Sequence, residues 1–379
     1  MAGLEKNIKK ALNSLHETFF EKNIKEVNVF ITGVGNVGSE LINQLVNQEE
    51  YLLNNLNIKI NVCGVSNSKK MIINKNGINL NKWFKLLEKG SSADPNLFLK
   101  KIKDLNLRNS IFVDNTASDI ISKFYKNYLK KSISVVTCNK IACADKLENY
   151  KELKYLSKNY NAPFLFETNV GASLPIIDTL KNLIASGDKI ISIQAVLSGS
   201  LNYVFNNFKK KDTFHEIVED AKNLGFTEPD PKIDLSGTDV ARKILILSRE
   251  SGLDIEFNDS INEQFLPMSC LETKGYENFI QSLIKEKNHF NNLLDEAINK
   301  NERLKYVAEM TNGKAKVSLK SVNKNHPFYN LEGSDNIVLF YTSRYSKQPL
   351  LVKGAGAGAE VTAAGIFADI IRIANRWML

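Results

Sequence analysis

The sequence predicts an α/β fold, a doubly wound parallel sheet followed by a second, α+β domain, and three observations carry that reading. Short apolar runs alternate with helical stretches through the first 166 residues, a pattern that calls for parallel strands joined by crossover helices. A glycine-spaced turn directly follows the first apolar run, and the regular alternation loosens after about residue 167. With 379 residues, 43% of them hydrophobic, the chain has material for two or three cores rather than one.

Taken in order, residues 1–26 read as an amphipathic linker helix, with Leu4, Ile8, Leu12 and Leu15 at helical spacing. Strands are predicted at 27–32, 58–65, 111–114, 133–137 and 163–166, with a helix from about residue 36. The second domain reads as a helix near 174–184, a β-rich run at 190–196, helices around 214–224 and 238–248, and a long helical region at 277–299. A last strand at 350–353 and an apolar helix at 361–373 resemble another βα unit, which would pack back on the first domain. The expected division is therefore a linker (1–26), a first domain (27–166 with 350–379) and a second (167–349).

Composition narrows the class of protein. No stretch approaches the roughly 18 consecutive apolar residues of a membrane span, and residues 1–10 are polar with no apolar region behind them, so a soluble cytoplasmic chain is expected. Cys63, Cys138, Cys143 and Cys270 form no CxxC pair, and His16, His215, His289 and His326 form no zinc-ligand spacing. Reduced thiols are the expectation, and a proton donor other than histidine. The formal charge of +8 is spread among lysines along the whole chain, without the aromatic interleaving of a nucleic-acid surface, so no nucleic-acid partner is expected.

The turn Gly33-Val34-Gly35-Asn36-Val37-Gly38 lies between a predicted strand and a predicted helix, the context a Rossmann-type dinucleotide fingerprint requires. Gly33 permits the tight turn, Gly35 lets the backbone approach a pyrophosphate, and Gly38 allows close helix packing, while the helix start at Asn36 and Val37 favours negative charge. The second strand runs into Ser66-Asn67-Ser68-Lys69-Lys70, where a ribose-binding acid would usually stand. Hydroxyls and lysines there favour NADP over NAD if they face a 2′-phosphate; otherwise Lys69 and Lys70 are solvated surface charge. Asp114-Asn115-Thr116 and Thr137-Cys138-Asn139-Lys140 end two further strands, the edge where ligands bind in such sheets.

The densest signal is the run 225–243, Gly-Phe-Thr-Glu-Pro-Asp-Pro-Lys-Ile-Asp-Leu-Ser-Gly-Thr-Asp-Val-Ala-Arg-Lys. Prolines and glycines shape a loop carrying Glu228, Asp230 and Asp234, and the helix after it places Asp239 and Lys243 one turn apart. Two readings stand side by side: an ordinary ion pair behind a Ser236–Asp239 capping box, or an ammonium-binding loop beside a proton donor. Glu167, ahead of Val170, Ala172 and Leu174, would either hold a hard cation with backbone carbonyls or be satisfied by loop amides. The glycine cluster 354–358, followed by Glu360, would either touch the cofactor or only permit close packing.

Through these segments the chain resembles homoserine dehydrogenase, most closely the dehydrogenase part of the bifunctional aspartokinase/homoserine dehydrogenases, from about residue 27 to 373. The resemblance rests on the first glycine turn, the Thr-x-Asn-Lys segment, the Glu-Thr-Asn-Val-Gly-Ala block at 167–172, the 225–243 signature and the terminal Gly-Ala-Gly-x-Glu-Val-Thr-Ala-Ala-Gly. It implies an NAD(P)-dependent oxidoreductase that interconverts L-homoserine and L-aspartate 4-semialdehyde in threonine and methionine biosynthesis, and a second domain that also dimerises. By the same resemblance Lys243 exchanges the proton and Lys140 binds and orients the substrate, while Glu228 and Asp239 hold the substrate ammonium with Asp234 behind them. The cofactor residues carried over are Gly33, Gly35, Asn36, Val37, Gly38, Ser66, Thr116, Lys140, Gly358 and Glu360; a sodium ion maps to Glu167, Val170, Ala172 and Leu174. Cys138, Ser173 and Ile233 depart from the family pattern, and Ser173 bears on the cation site. Residues ahead of Val27 would be a remnant of an interdomain linker; kinase activity and threonine feedback are not implied. The rival readings are a semialdehyde dehydrogenase with a cysteine nucleophile and histidine base, for which no pair is evident, and a non-catalytic NAD(P)-binding regulatory or assembly module.

Overall fold

The computed structural model describes residues 8, 11, 12 and 24–376, so the linker helix expected over 1–26 falls almost entirely outside the described residues. The chain divides into two compact units: Met1–Ala142, Lys151–Phe166 and Thr362–Leu379 form the first, Cys143–Tyr150 and Glu167–Val361 the second. No helix among the described residues is long and apolar enough to cross a membrane.

The first unit holds seven strands, β1 (Lys25–Thr32), β2 (Ile58–Ser66), β3 (Lys70–Ile73), β4 (Ser91–Ser92), β5 (Ser110–Asp114), β6 (Ser134–Thr137) and β7 (Phe164–Leu165), in the order β4-β3-β2-β1-β5-β6-β7. β2, β1, β5, β6 and β7 pair in parallel as expected, whereas β3 and β4 add an antiparallel edge that the sequence pattern did not suggest. The strand order reverses at β1, between β2 and β5, which opens a crevice at their C-terminal ends. The helix Asn36–Leu56 buries Leu41, Ile42, Leu45 and Leu52 on one face, and ends at Asn57 in the left-handed region with its amide on the Leu52 carbonyl. Ile366, Ile370 and Ile373 of the helix Ala359–Arg376 join the same core.

The second unit is built on β8 (Ile190–Val196), β9 (Ile261–Asn262), β10 (Arg303–Thr311), β11 (Lys314–Val322), β12 (Asp335–Thr342) and β13 (Leu350–Ala355), ordered β13-β12-β8-β10-β11-β9. β13 corrects the expectation for 350–353: it pairs antiparallel with β12 and closes the second sheet rather than extending the first. Hydrogen bonding to β12 decides this, because a strand goes where its backbone donors and acceptors are satisfied. The predicted helical region 277–299 is two helices, Tyr276–Lys285 and Lys287–Asn299, broken at Glu286.

The long hairpin β10–β11 turns on Asn312 and Gly313, both with positive φ, the Asn-Gly pair that two-residue hairpins favour. β10 also carries Lys305, which is fully buried; its ammonium donates to Asn202 Oδ1 at 3.1 Å, Asn206 Oδ1 at 2.5 Å and the Leu331 carbonyl at 2.6 Å. Burial pushes the Lys305 ammonium down to about 8, with Arg303 and Lys353 acting in the same sense and Glu332 against. Between that value and the ordinary 10.5 the folded chain has released the proton while the unfolded chain keeps it, so unfolding free energy rises with pH across this window. Lys305→Met is expected to flatten that rise. Urea midpoints for both proteins from about pH 7 to about pH 10 test it, and parallel curves would refute it.

Candidate active site

At the crevice of the first unit, sterics dictate the glycines. Gly33 has φ of +89°, and a Cβ there would lie 2.7 Å from Thr116 Cγ2; a Cβ on Gly38 would lie 2.0 Å from the Gly33 carbonyl oxygen. Gly35 has nothing within 4 Å of the same position, so the space above it is open to a ligand. The helix Asn36–Leu56 starts there with no side-chain cap and no acid in its first turn, leaving amide hydrogens directed at that space. Beside the turn lies a cavity of about 450 Å³ lined in part by Thr32, Gly33, Ser66, Asn67 and Thr116. Against the turn itself the carboxamide of Asn115 is buried, with neither its oxygen nor its nitrogen hydrogen-bonded among the described residues. Open space over Gly35, uncommitted amides and a cavity without a carboxylate fit a dinucleotide and its pyrophosphate.

The floor of that crevice hangs on Asp114. This fully buried carboxylate accepts hydrogen bonds from the Tyr125 hydroxyl, the Thr116 amide at 2.8 Å and Asn139 Nδ2 at 3.1 Å. Burial pushes the Asp114 carboxyl above the ordinary carboxylate range, and the Tyr125, Thr116 and Asn139 bonds pull it the other way. Asn139 also donates to the Ser118 carbonyl and accepts from the Ile141 amide, so the backbone on both sides of half-buried Lys140 is fixed. Burial, with Asp114 nearby, raises the Cys138 thiol to about 11, which leaves it protonated and unsuited to nucleophilic chemistry.

At the end of β2 the structure separates two lysines that the sequence left equivalent. Asn67 Oδ1 accepts from the amides of Lys69 at 2.8 Å and Lys70 at 2.7 Å, closing a tight turn. Lys70 then points its ammonium at the Gly90 carbonyl, 3.1 Å away, whereas Ser68 and Lys69 are exposed at the tip. Ser66 is buried beneath them, with its hydroxyl directed at the Asn67 carbonyl.

In the second unit the helix Thr238–Glu250 carries Lys243. The capping box expected at Ser236 and Asp239 does not form: Gly237 is the N-cap, with φ of +68°, and Ser236 instead donates to the Ile233 carbonyl. Glycine is required at that N-cap, since a Cβ on Gly237 would lie 2.0 Å from Tyr306 Oη. Lys243 is 8% exposed; its ammonium donates to the Leu197 carbonyl at 2.7 Å and pairs with Asp239 Oδ2 at 2.9 Å. An ammonium has three hydrogens, and no described residue takes the third.

The acidic loop beside it is braced from within. Asp230 accepts from the Lys232 amide and caps the short helix Pro231–Leu235. Asp234 Oδ2 accepts from the Glu228 amide at 2.8 Å, and its Oδ1 lies 2.9 Å from the Ser200 hydroxyl. Asp234 therefore shapes the loop, and Glu228 is left exposed at its tip. Sequence reading missed Leu197 and Ser200, because a backbone carbonyl and a lone serine carry no motif.

Glu167 is buried, and its carboxylate accepts from the amides of Ile176 and Ile177 at 2.7 Å and Asp178 at 2.9 Å. It thus serves the start of the helix Ile177–Ala185, the loop-amide alternative, and the Leu174 carbonyl likewise accepts from Ile176. Among the described residues no group of three or more His, Cys, Asp or Glu side chains converges as a metal site. In the terminal glycine cluster Gly358 has φ of +114° and nothing within 4 Å of where a Cβ would stand, and Glu360 lies in the first turn of the final helix.

Comparison with known proteins decides the family. Residues 33–167 match the family described as homoserine dehydrogenase, NAD binding domain, and residues 175–371 match homoserine dehydrogenase. This chain belongs to the homoserine dehydrogenase family. The bifunctional aspartokinase/homoserine dehydrogenase 2 of Arabidopsis thaliana chloroplasts is 42% identical over 97% of the chain and 40% of its own length. The chain thus spans less than half the length of such bifunctional relatives, whereas homoserine dehydrogenase of Schizosaccharomyces pombe, 39% identical, is matched over 92% of this chain and 96% of its own. A hyperthermophilic archaeal homoserine dehydrogenase solved in complex with NADPH superposes with a TM-score of 0.72 at 26% identity, covering 93% of this chain and 98% of that one.

The Asp114 network makes a direct prediction for this homoserine dehydrogenase fold. Asp114→Asn should cost about 2 kcal/mol of stability, because an amide group then faces donors that had met a carboxylate. Urea denaturation measures it, and a change below about 0.5 kcal/mol would show that the network carries little weight.

Proposed function

We propose that this chain catalyses the NAD(P)-dependent interconversion of L-homoserine and L-aspartate 4-semialdehyde. The observation that carries the reading is the buried Lys243 ammonium, held by two acceptors with no third among the described residues, on the helix that follows a braced acidic loop. When bound, the nicotinamide cofactor supplies or takes the hydride. Lys243 gives a proton to the aldehyde oxygen in reduction and takes it back from the alcohol in oxidation. Glu228 and Asp239 bind the substrate ammonium, Asp234 holds the Glu228 backbone, and Lys140 orients the substrate.

The cofactor is held by Gly33, Gly35, Asn36, Val37 and Gly38 at its pyrophosphate, and by Ser66, Thr116, Lys140, Gly358 and Glu360 around it. Of its two forms we propose NADP, selected through Ser68 and Lys69. Their support is position: both are exposed at the end of β2, and Lys70 is withdrawn to Gly90. A sodium ion would rest chiefly on the carbonyls of Val170 and Ala172, since Glu167 and Leu174 already accept amide hydrogens. A homodimer or higher homo-oligomer in the cytoplasm, whose reducing conditions suit a chain with few cysteines and no CxxC pair, completes the proposal.

Oxidation of NADPH and NADH in the presence of L-aspartate 4-semialdehyde, followed by absorbance, tests the reading. Lys243→Ala is expected to lose about two to four orders of magnitude in turnover. Unchanged turnover would reject the role of Lys243, and cofactor binding by the wild type without turnover would favour the regulatory module. For Lys69→Glu the ratio of kcat/KM for NADPH to that for NADH should fall by about tenfold or more, and an unaltered ratio would remove Lys69 from cofactor selection.

A further inference from the structure

Lys243 is not the only polar side chain at the Leu197 carbonyl. β12 opens with Asp335 and Asn336; Ile337 pairs with Val196, the last residue of β8, so Leu197 lies just beyond the end of that ladder. Asn336 is 1% exposed, and its Nδ2 stands 3.5 Å from the same Leu197 oxygen that accepts from Lys243 at 2.7 Å. Its Oδ1 is buried with no hydrogen-bond partner among the described residues. The opposite side is sealed by Gly356, where a Cβ would lie 2.0 Å from both Cγ and Nδ2 of Asn336. Asn202 fixes the start of the strand by donating to the carbonyls of Gly333 and Asp335.

The carboxamide strands a buried polar oxygen that an apolar side chain would not, so packing alone gives no reason for it here. The reason lies in what its nitrogen faces. A peptide carbonyl has two lone pairs and can accept from two donors, and here the ammonium and the carboxamide nitrogen both lie within reach of the one oxygen. We propose that Asn336 is a positioning residue for Lys243, acting through the Leu197 carbonyl that both side chains share. It holds that oxygen in one orientation, which in turn directs the uncommitted hydrogen of the ammonium. Gly356 is glycine because the chain must cross directly over the carboxamide, which gives the terminal glycine cluster a task distinct from cofactor binding.

The inference rests on the proposed role of Lys243, so its test uses both residues. Asn336→Ala should lower kcat by about ten- to a hundredfold, with KM for homoserine and for NADP within about twofold of wild type. In a Lys243→Ala background the same replacement should have no further effect on residual turnover. Asn336→Leu, with the same branching and the same number of heavy atoms, should reproduce the loss and covers the case in which the alanine variant fails to fold. A loss carried by KM, or equal losses in the two backgrounds, overturns the proposal. A silent Asn336→Ala beside an inactive Lys243→Ala overturns it alone, whereas full turnover by Lys243→Ala overturns the reading of Lys243 and this proposal with it.

Discussion

A primary ammonium enters a protein interior only where oxygen atoms replace the water it gives up, and the second unit meets that demand twice with different results. Lys305 finds three acceptors, one for each hydrogen, and becomes a fastener between β10, the helix Gly199–Asn207 and the Leu331 turn. Lys243 finds two among the described residues, and the remaining hydrogen is the one that the proposed proton transfer would use. Most of the local architecture serves to keep that ammonium in place.

The two acceptors come from places that sequence spacing treats very differently. Asp239 is one turn away on the same helix and follows from helical geometry; Leu197 is 46 residues distant and arrives only because β8 ends beside β12. The helix itself can start where it does because Gly237 tolerates both a left-handed backbone and the tyrosine hydroxyl pressed against it. Asp234 performs the corresponding work in the loop, turning the Glu228 amide inward so that the carboxylate stays outside.

What could be read from the chain alone was whatever repeats locally. The parallel strands, the Gly33–Gly38 turn and the Asp239–Lys243 pair all depend on spacings of a few residues, and each is found as expected. β10 and β11 were not read as strands because lysine and glutamate interrupt their apolar alternation and Lys305 is a charged residue in a core position; the Asn312-Gly313 pair and the apolar run Ile337–Tyr341 of β12 were the available signals. The placement of β13, the cap formed by Glu167 and the shared Leu197 oxygen are set by partners far away in the sequence. Pattern cannot rank such partners, since it carries no information about which distant backbone group lies within reach.

The turn after β2 has an evolutionary consequence. Asn67 ties the loop to itself and Lys70 ties it to Gly90, so neither Ser68 nor Lys69 is needed to hold the backbone in shape. Drift at those two positions is therefore nearly free of folding cost, and if Ser68 and Lys69 select the cofactor as proposed, a lineage carrying this frame could exchange one reducing currency for another by single substitutions without disturbing the turn.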